Sequence, residues 1–257
     1  RPTHKEARAF GALAHQLGRE FARAYELSTA LCQEYPDYAR AHSIRIRSAP
    51  EGYAFAEARR SVPRSVRRDV EVANALSGLA MDEGQLRISE AYARIAAKSP
   101  PAWPEAMVNL AALILMREKQ TGFLDIRRGL IPRSSDRVAE ARKLLSEAMA
   151  VLLPRPGKRL KALCLYNRAS ANRMLGDLEA AQQDLQEAFR LQPEDPEIAA
   201  SVAWELESDG NASEAIKALE QAMHGVPDPK TSFTLAFLLY QRKQPGDLDR
   251  TIALLQP

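Results

Sequence analysis

The sequence predicts an all-α fold made of repeated pairs of antiparallel helices. Ala and Leu supply much of the 46% of residues that are hydrophobic, whereas aromatic residues make up 6% and glycine only 12 of 257 residues. This composition favours helix over strand, because Ala and Leu form helices well and runs of β-branched residues are missing. Small residues also recur at a period of 34 positions, which indicates that the helices are organised as repeats.

The clearest repeat spans residues 162–195. Its pattern indicates a helix over 162–175, a turn at Gly176 and Asp177, and a second helix over 178–191. Small side chains on the two helices would allow a close approach, with a Leu filling the gap between them. A shift of 34 residues reproduces six positions without change, namely Ala169/Ala203, Gly176/Gly210, Ala181/Ala215, Leu185/Leu219, Ala188/Ala222 and Pro193/Pro227.

This pattern resembles the tetratricopeptide repeat (TPR) family, in which small residues and Leu recur with a turn Gly and a final Pro. The resemblance is strongest over residues 162–229 and implies a right-handed superhelical solenoid of antiparallel helix pairs. Weaker matches extend the repeats over residues 70–257. The predicted units are 70–103, 104–155 with an insertion at 120–136, 162–195, 196–229 and a partial unit at 230–257.

Two segments fit the repeat pattern less well. Residues 1–69 carry helical apolar stripes and are predicted to form an N-terminal helical region with divergent repeats. The insertion over 120–136 is predicted to protrude as a loop, because insertions in repeat proteins map to one surface. Phe123, Leu124 and Ile126 within it form an apolar cluster that should pack against this chain or a partner.

No motif for catalysis, a metal or a cofactor stands out. The four histidines never lie at ligand spacing from Cys, Asp or another His. The Gly157-Lys158 pair lacks the surrounding frame of a phosphate-binding loop. Cys32 and Cys164 lie far apart in helical contexts and are interpreted as buried core residues. We therefore expect a non-enzymatic protein without a cofactor.

The charge is balanced overall but uneven along the chain. The formal net charge of +3 does not require nucleic acid or an anionic membrane as a partner. Residues 155–173 hold six basic residues and no acid, whereas residues 177–214 hold eleven acids and one Arg. Such a dipolar surface favours a protein partner and a place in a larger complex.

The sequence says little about the compartment. No apolar run is long enough to span a membrane. The chain starts with Arg rather than Met, so we expect an excised or processed piece whose leader would not be visible. We expect a cytoplasmic location and leave a periplasmic one open.

The TPR resemblance also implies a binding surface. In that family the first helix of each pair lines a concave face, and its exposed positions carry over to Val108, Asn109, Ala112, Leu163, Tyr166, Asn167, Ser170, Arg173, Met174, Ala200, Ser201, Trp204, Thr234 and Leu238. Seven of these are predicted to carry partner binding: Asn109, Tyr166, Asn167, Ser170, Arg173, Ser201 and Trp204.

The chemistry of these seven residues suits a polypeptide ligand. An Asn amide both donates and accepts, so it can hold a partner's main chain. Tyr and Trp provide the large rigid surfaces of binding hot spots. Arg173 is expected to attract an acidic or C-terminal segment of the partner. Tyr166 and Ser170 occupy positions where some TPR proteins use Lys and Asn to clamp a carboxylate terminus, so that type of chaperone co-factor is disfavoured.

The leading functional hypothesis is an adaptor or scaffold that binds a peptide or protein on its concave face. Two alternatives stay open. One is the sensor or regulatory arm of a larger signalling ATPase or transcription regulator, and the other is a periplasmic scaffold for polysaccharide export. RNA binding through the Arg-rich segments 40–68 and 155–173 is disfavoured, because aromatic residues are not interleaved with the basic ones.

Overall fold

A computed structural model describes residues 3–99, 103–125, 129–154, 157–208, 210–223 and 228–256. Within these ranges the chain forms helices and one short two-stranded sheet, and the predicted all-α class of antiparallel helix pairs is confirmed. The helices are α1 (His4–Leu17), α2 (Phe21–Glu34), α3 (Ala39–Arg47), α4 (Phe55–Ser61), α5 (Val70–Asp82), α6 (Leu86–Ala97), α7 (Pro104–Thr121), α8 (Ser135–Leu152), α9 (Arg159–Met174), α10 (Leu178–Leu191), α11 (Pro196–Ser208), α12 (Ala212–Met223), α13 (Pro229–Arg242) and α14 (Asp247–Leu255).

The first compact unit covers residues 1–121 and contains α1–α7. Helices α1 and α2 form one pair and α5 and α6 another, while α3 packs against both α2 and α5. One core cluster surrounds Leu31 and Ile44, and a second surrounds Val62 and Leu76. The helices of the N-terminal region therefore share this unit with α5–α7.

The second compact unit covers residues 122–257 and contains α8–α14. Its helices pack as the pairs α9/α10, α11/α12 and α13/α14, with α8 against α9. Each first helix buries a small residue at the same place, namely Ala169, Ala203 or Ala236. These small side chains let each second helix approach closely, as the repeat pattern predicts.

The predicted Gly turns end the first helices of two pairs. Gly176 follows α9 with φ of +84°, and Gly210 follows α11 with φ of +79°. This left-handed backbone is open to glycine at little cost and strained for residues with a Cβ atom. The Asp177 side chain then caps α10 by accepting from the Ala180 N–H at 3.4 Å.

Part of the insertion that is predicted to protrude as a loop is paired into a short hairpin. Strand β1 (Phe123–Asp125) pairs antiparallel with strand β2 (Gly129–Ile131), so that Phe123 lies opposite Ile131. The apolar residues on both strands favour this pairing, and the protrusion of the insertion stays a prediction. Ile126 lies outside the described residues, so the packing of the apolar cluster stays a prediction.

Candidate protein-binding surface

The first helices α9 and α11 bring two of the predicted residues together. The Ser201 hydroxyl lies 3.5 Å from the Tyr166 hydroxyl and also donates to the Glu197 carbonyl at 2.9 Å. A separation of 3.5 Å is long for a hydrogen bond between hydroxyls. Both Tyr166 and Ser201 are half-buried. They therefore form the floor between two neighbouring repeats, with part of each side chain open to a ligand.

Trp204 lies one turn further along α11 and is 43% exposed. Its ring packs against Phe237 of α13, with centroids 5.6 Å apart and planes tilted by 45°. Within the described ranges its indole N–H has no hydrogen-bond partner. The side chain thus has one face fixed by Phe237, while its polar edge is available to a ligand.

Helix α13 corrects the predicted register by one residue. The repeat pattern predicts Thr234 and Leu238 on the surface, but they are buried, with exposures of 5% and 1%. Helix α11 begins at Pro196 and α13 at Pro229, a spacing of 33 residues instead of 34. The cause is visible in the connection, which reads Pro-Glu-Asp-Pro before α11 and the shorter Pro-Asp-Pro before α13.

The corrected register places aromatic residues on the surface predicted for Thr234 and Leu238. Phe233 is 63% exposed, Tyr240 is 60% exposed and Phe237 is partly buried between them and Trp204. They follow one another at four and three positions, so they share a stripe of the helix. We call Trp204, Phe233, Phe237 and Tyr240 the aromatic face. The 34-residue period does not predict these aromatic residues as part of the binding surface. The shorter connection before α13 is the feature of the sequence that would have placed them there.

Arg173 has a carboxylate partner within the chain. Its guanidinium forms an ion pair with Glu205 of α11, a residue that is itself mostly buried, while the Arg173 side chain is 47% exposed. The attraction of an acidic partner segment to Arg173 stays a prediction, and such a segment would have to compete with Glu205. The ion pair links α9 to α11 beside Trp204.

Asn167 and Ser170 also lie on α9, and both are half-buried. The Asn167 amide nitrogen is buried and has no hydrogen-bond partner among the described residues. A partner's main chain can reach this nitrogen only if the Asn167 side chain turns. The role of this amide in binding therefore stays a prediction.

Asn109, the seventh predicted residue, lies in the first unit, whereas the other six lie on α9 and α11 of the second. Its amide nitrogen donates to the Asn74 side-chain oxygen at 3.0 Å.

Asn109 and Asn74 line a groove of about 680 Å³ together with Arg47 and Tyr53. Among the described residues Arg47 has no ion-pair partner, and burial lowers its pKa. We call this the amide groove.

The two cysteines lie in the core of the described structure. Cys32 and Cys164 are buried as predicted, and burial raises their thiol pKa values to about 11 and about 12. Both thiols therefore stay protonated at neutral pH. Across the described ranges no three His, Cys, Asp or Glu side chains are grouped to hold a metal, and no helix could cross a bilayer.

Comparison with known proteins identifies the fold. No protein-family model and no curated protein matches the sequence. Among solved structures, the APC/C hetero-tetramer Cut9-Hcn1 matches with a TM-score of 0.68 at 15% identity, over 96% of this chain and 46% of that one. A tetratricopeptide repeat protein from Parabacteroides merdae matches at 0.60 and 10% identity, over 98% and 93% of the two chains. The TPR protein TTC0263 from Thermus thermophilus matches at 0.52 and 17% identity, over 92% and 99%. The chain thus has the TPR-type helical repeat fold that its sequence pattern predicts.

Proposed function

We propose that this chain is a non-enzymatic protein-interaction module. Its second unit binds a peptide or protein segment on the surface formed by α9, α11 and α13. The aromatic face is the observation that supports this proposal most strongly. Exposed, contiguous aromatic surface is uncommon on a soluble domain and is typical of binding sites. We extend the proposal to a place in a larger complex, as the matched chain has in the APC/C hetero-tetramer Cut9-Hcn1.

Packing of the fold accounts for Phe237, which lies against the core, but not for the exposed rings of Phe233 and Tyr240. Leu235, Leu238 and Leu239 already fill the core beneath α13, and each is at most 2% exposed. Phe233 and Tyr240 point away from that core, so their rings add little to the stability of the unit. Residues that cost solubility without contributing to the core are expected where a ligand covers them.

Buried polar contacts hold the helices that present this surface. Arg168 of α9 donates to both Asp184 oxygens on α10, at 2.8 and 2.6 Å, and Asn172 donates to the same carboxylate at 3.1 Å. On α13, Arg242 donates to Asp247 of the following helix at 2.9 and 2.6 Å. Bidentate pairs fix orientation as well as distance. The binding residues are therefore displayed on rigid elements, which lowers the entropy lost on binding.

A random peptide library displayed on phage tests this proposal even though the natural partner is not identified. We expect panning over the chain to enrich peptides whose binding depends on Trp204. Trp204→Ala should weaken the selected peptides by about 2 kcal/mol, or roughly thirtyfold, because the indole is an anchor. Circular dichroism should show an unchanged helix content.

Leu178→Ala is the matched control. Leu178 is 65% exposed on the second helix α10, so its truncation also removes apolar surface. It should leave binding of the selected peptides unchanged. Selected peptides that ignore Trp204→Ala but respond to Leu178→Ala would place the binding surface on the second helices and refute the proposal.

A further inference from the structure

The aromatic face has a spacing that selects one kind of peptide backbone. Phe233 and Tyr240 are seven residues apart on α13, which is about 10 Å along the helix axis. A polyproline II helix repeats every three residues, or about every 9 Å. Prolines at positions i and i+3 of such a peptide would therefore each meet one of the two exposed rings. Phe237 lies between these two residues along α13 and Trp204 packs against its ring, so both would contact the residues in the middle of the peptide.

The polar edges of the face match the same backbone. Among the described residues, neither the Trp204 indole N–H nor the Tyr240 hydroxyl has a hydrogen-bond partner. A polyproline II helix makes no internal hydrogen bonds, and its carbonyl groups point outward as free acceptors. An aromatic donor can thus pack against a proline ring and donate to a neighbouring carbonyl. A helical peptide offers few free carbonyls, because its own backbone uses them.

Several charged groups near the aromatic face are paired within the chain. Helix α13 carries no acidic residue, and Arg242 at its end is paired with Asp247. On α11, Glu205 is paired with Arg173. Glu207, three residues after Trp204, has no ion-pair partner among the described residues. The surface therefore offers apolar contact and hydrogen-bond donors beside one carboxylate, and a neutral ligand fits it better than an acidic one.

We propose that the aromatic face binds a proline-rich segment of a partner protein in the polyproline II conformation. This inference rests on the proposed function and specifies the ligand of the same surface. The peptide would lie along α13, with prolines against Phe233 and Tyr240 and a carbonyl accepting from Trp204. Aromatic grooves are a general solution for such ligands, because a preformed polyproline II helix loses little entropy on binding.

Calorimetric titration with a blocked decaproline peptide tests the inference directly. We expect saturable binding of decaproline and none of a Gly/Ser peptide of the same length or of a neutral amphipathic helical peptide. Trp204→Phe keeps an aromatic ring but removes the N–H, so it should weaken binding about three- to tenfold. Phe237→Ala removes the central ring and should weaken it about thirtyfold. Phe10→Ala, which truncates an exposed ring on α1 of the first unit, should have no effect.

Tryptophan fluorescence gives an independent readout. The chain has two tryptophans, so the Trp103→Phe variant leaves Trp204 as the only one. Its emission should shift to the blue when decaproline covers the ring. An unchanged spectrum together with no calorimetric signal, or equal binding of decaproline and the Gly/Ser peptide, would overturn the proline-rich ligand.

The peptide library separates this outcome from a failure of the proposed function. If it selects proline-free peptides that still depend on Trp204, the proline-rich ligand is wrong and the binding surface stands. If no selected peptide depends on Trp204, both proposals fail.

Discussion

The two units use the same contact between first helices for different chemistry. In the first unit Asn109 donates to Asn74, and in the second Ser201 lies against Tyr166; each pair is 35 residues apart. Around the first pair the amide groove adds Arg47, which has no ion-pair partner among the described residues. Around the second pair lie aromatic rings and an Arg that is paired with Glu205. One repeat geometry therefore supports a polar, charged groove in one unit and an aromatic face in the other. The fold determines where a binding surface forms, and a few side chains on the first helices determine which ligand it can bind.

Removing the ion pair between Arg168 of α9 and Asp184 of α10 should have the largest effect on the stability of the second unit. Asp184→Asn leaves the mostly buried Arg168 without a carboxylate, so we expect the unit to lose about 3 kcal/mol of unfolding free energy. Denaturant unfolding followed by Trp204 fluorescence measures this, in a Trp103→Phe background. Glu179→Gln, an exposed site on the same helix, is the control and should change little. A loss equal to that of the control would show that the Arg168 contact does not hold α9 and α10 together.

Two glycine substitutions should change the stability of the two units in opposite directions. Gly176→Ala places a Cβ atom at φ of +84° and should destabilise the second unit by about 1 kcal/mol. Gly78→Ala lies inside α5, where nothing is within 4 Å of the new Cβ atom, and should stabilise the first unit by about 0.5–1 kcal/mol. Denaturant midpoints read from Trp103 and Trp204 separately would test both signs. Stabilisation by Gly176→Ala would mean that the turn tolerates a right-handed backbone.

As the pH is lowered, the first unit should lose stability before the second. Burial lowers the pKa of His42, although its Nε2–H donates to the Pro36 carbonyl at 2.6 Å. Below pH 6.5, His42 therefore binds a proton more readily in the unfolded chain than in the folded unit. The unfolding free energy of the first unit consequently falls as the pH drops towards 5. In the second unit, Arg242 lowers the pKa of Asp247 to about 2, so that contribution is lost only as the pH falls below about 4.

Urea midpoints at pH 7, 6 and 5 test this difference in pH dependence. The midpoint reported by Trp103 should fall, while the midpoint reported by Trp204 should hold. In His42→Gln the dependence of the Trp103 midpoint between pH 7 and 5 should become weaker. If the midpoint of the His42→Gln variant falls as steeply as that of the wild type, another group causes the acid sensitivity.

The sequence predicts the second unit well because its repeats are regular. Gly176 and Gly210 set the turns, and Ala169 and Ala203 mark the buried side of the first helices. Where the regularity stops, prediction becomes less accurate. One residue fewer before α13 shifts every later side chain by 100° around the helix, which moves Thr234 into the core.

The candidate site is harder to predict than the fold, because pairing between side chains is not visible in a single sequence. A count of charges marks the segment around Arg173 as basic, but it does not show that Arg173 itself is paired with Glu205 of the next repeat. The Asn167 amide shows the same difficulty, since its nitrogen is buried while the repeat pattern places the residue on a surface. The exposed position of Trp204 is the part of the predicted site that could be inferred from the register alone.

The most direct test of the aromatic face is a ¹H–¹⁵N spectrum of the two tryptophan indoles during a decaproline titration, repeated with the strongest peptide from the library. Trp103 lies in the first unit and Trp204 in the second, so each spectrum contains its own control. We expect the Trp204 indole N–H signal to move downfield and saturate, because it gains an acceptor, while the Trp103 signal stays in place. A shift of Trp103 alone, or saturable binding with neither signal moving, would contradict a binding surface on the aromatic face.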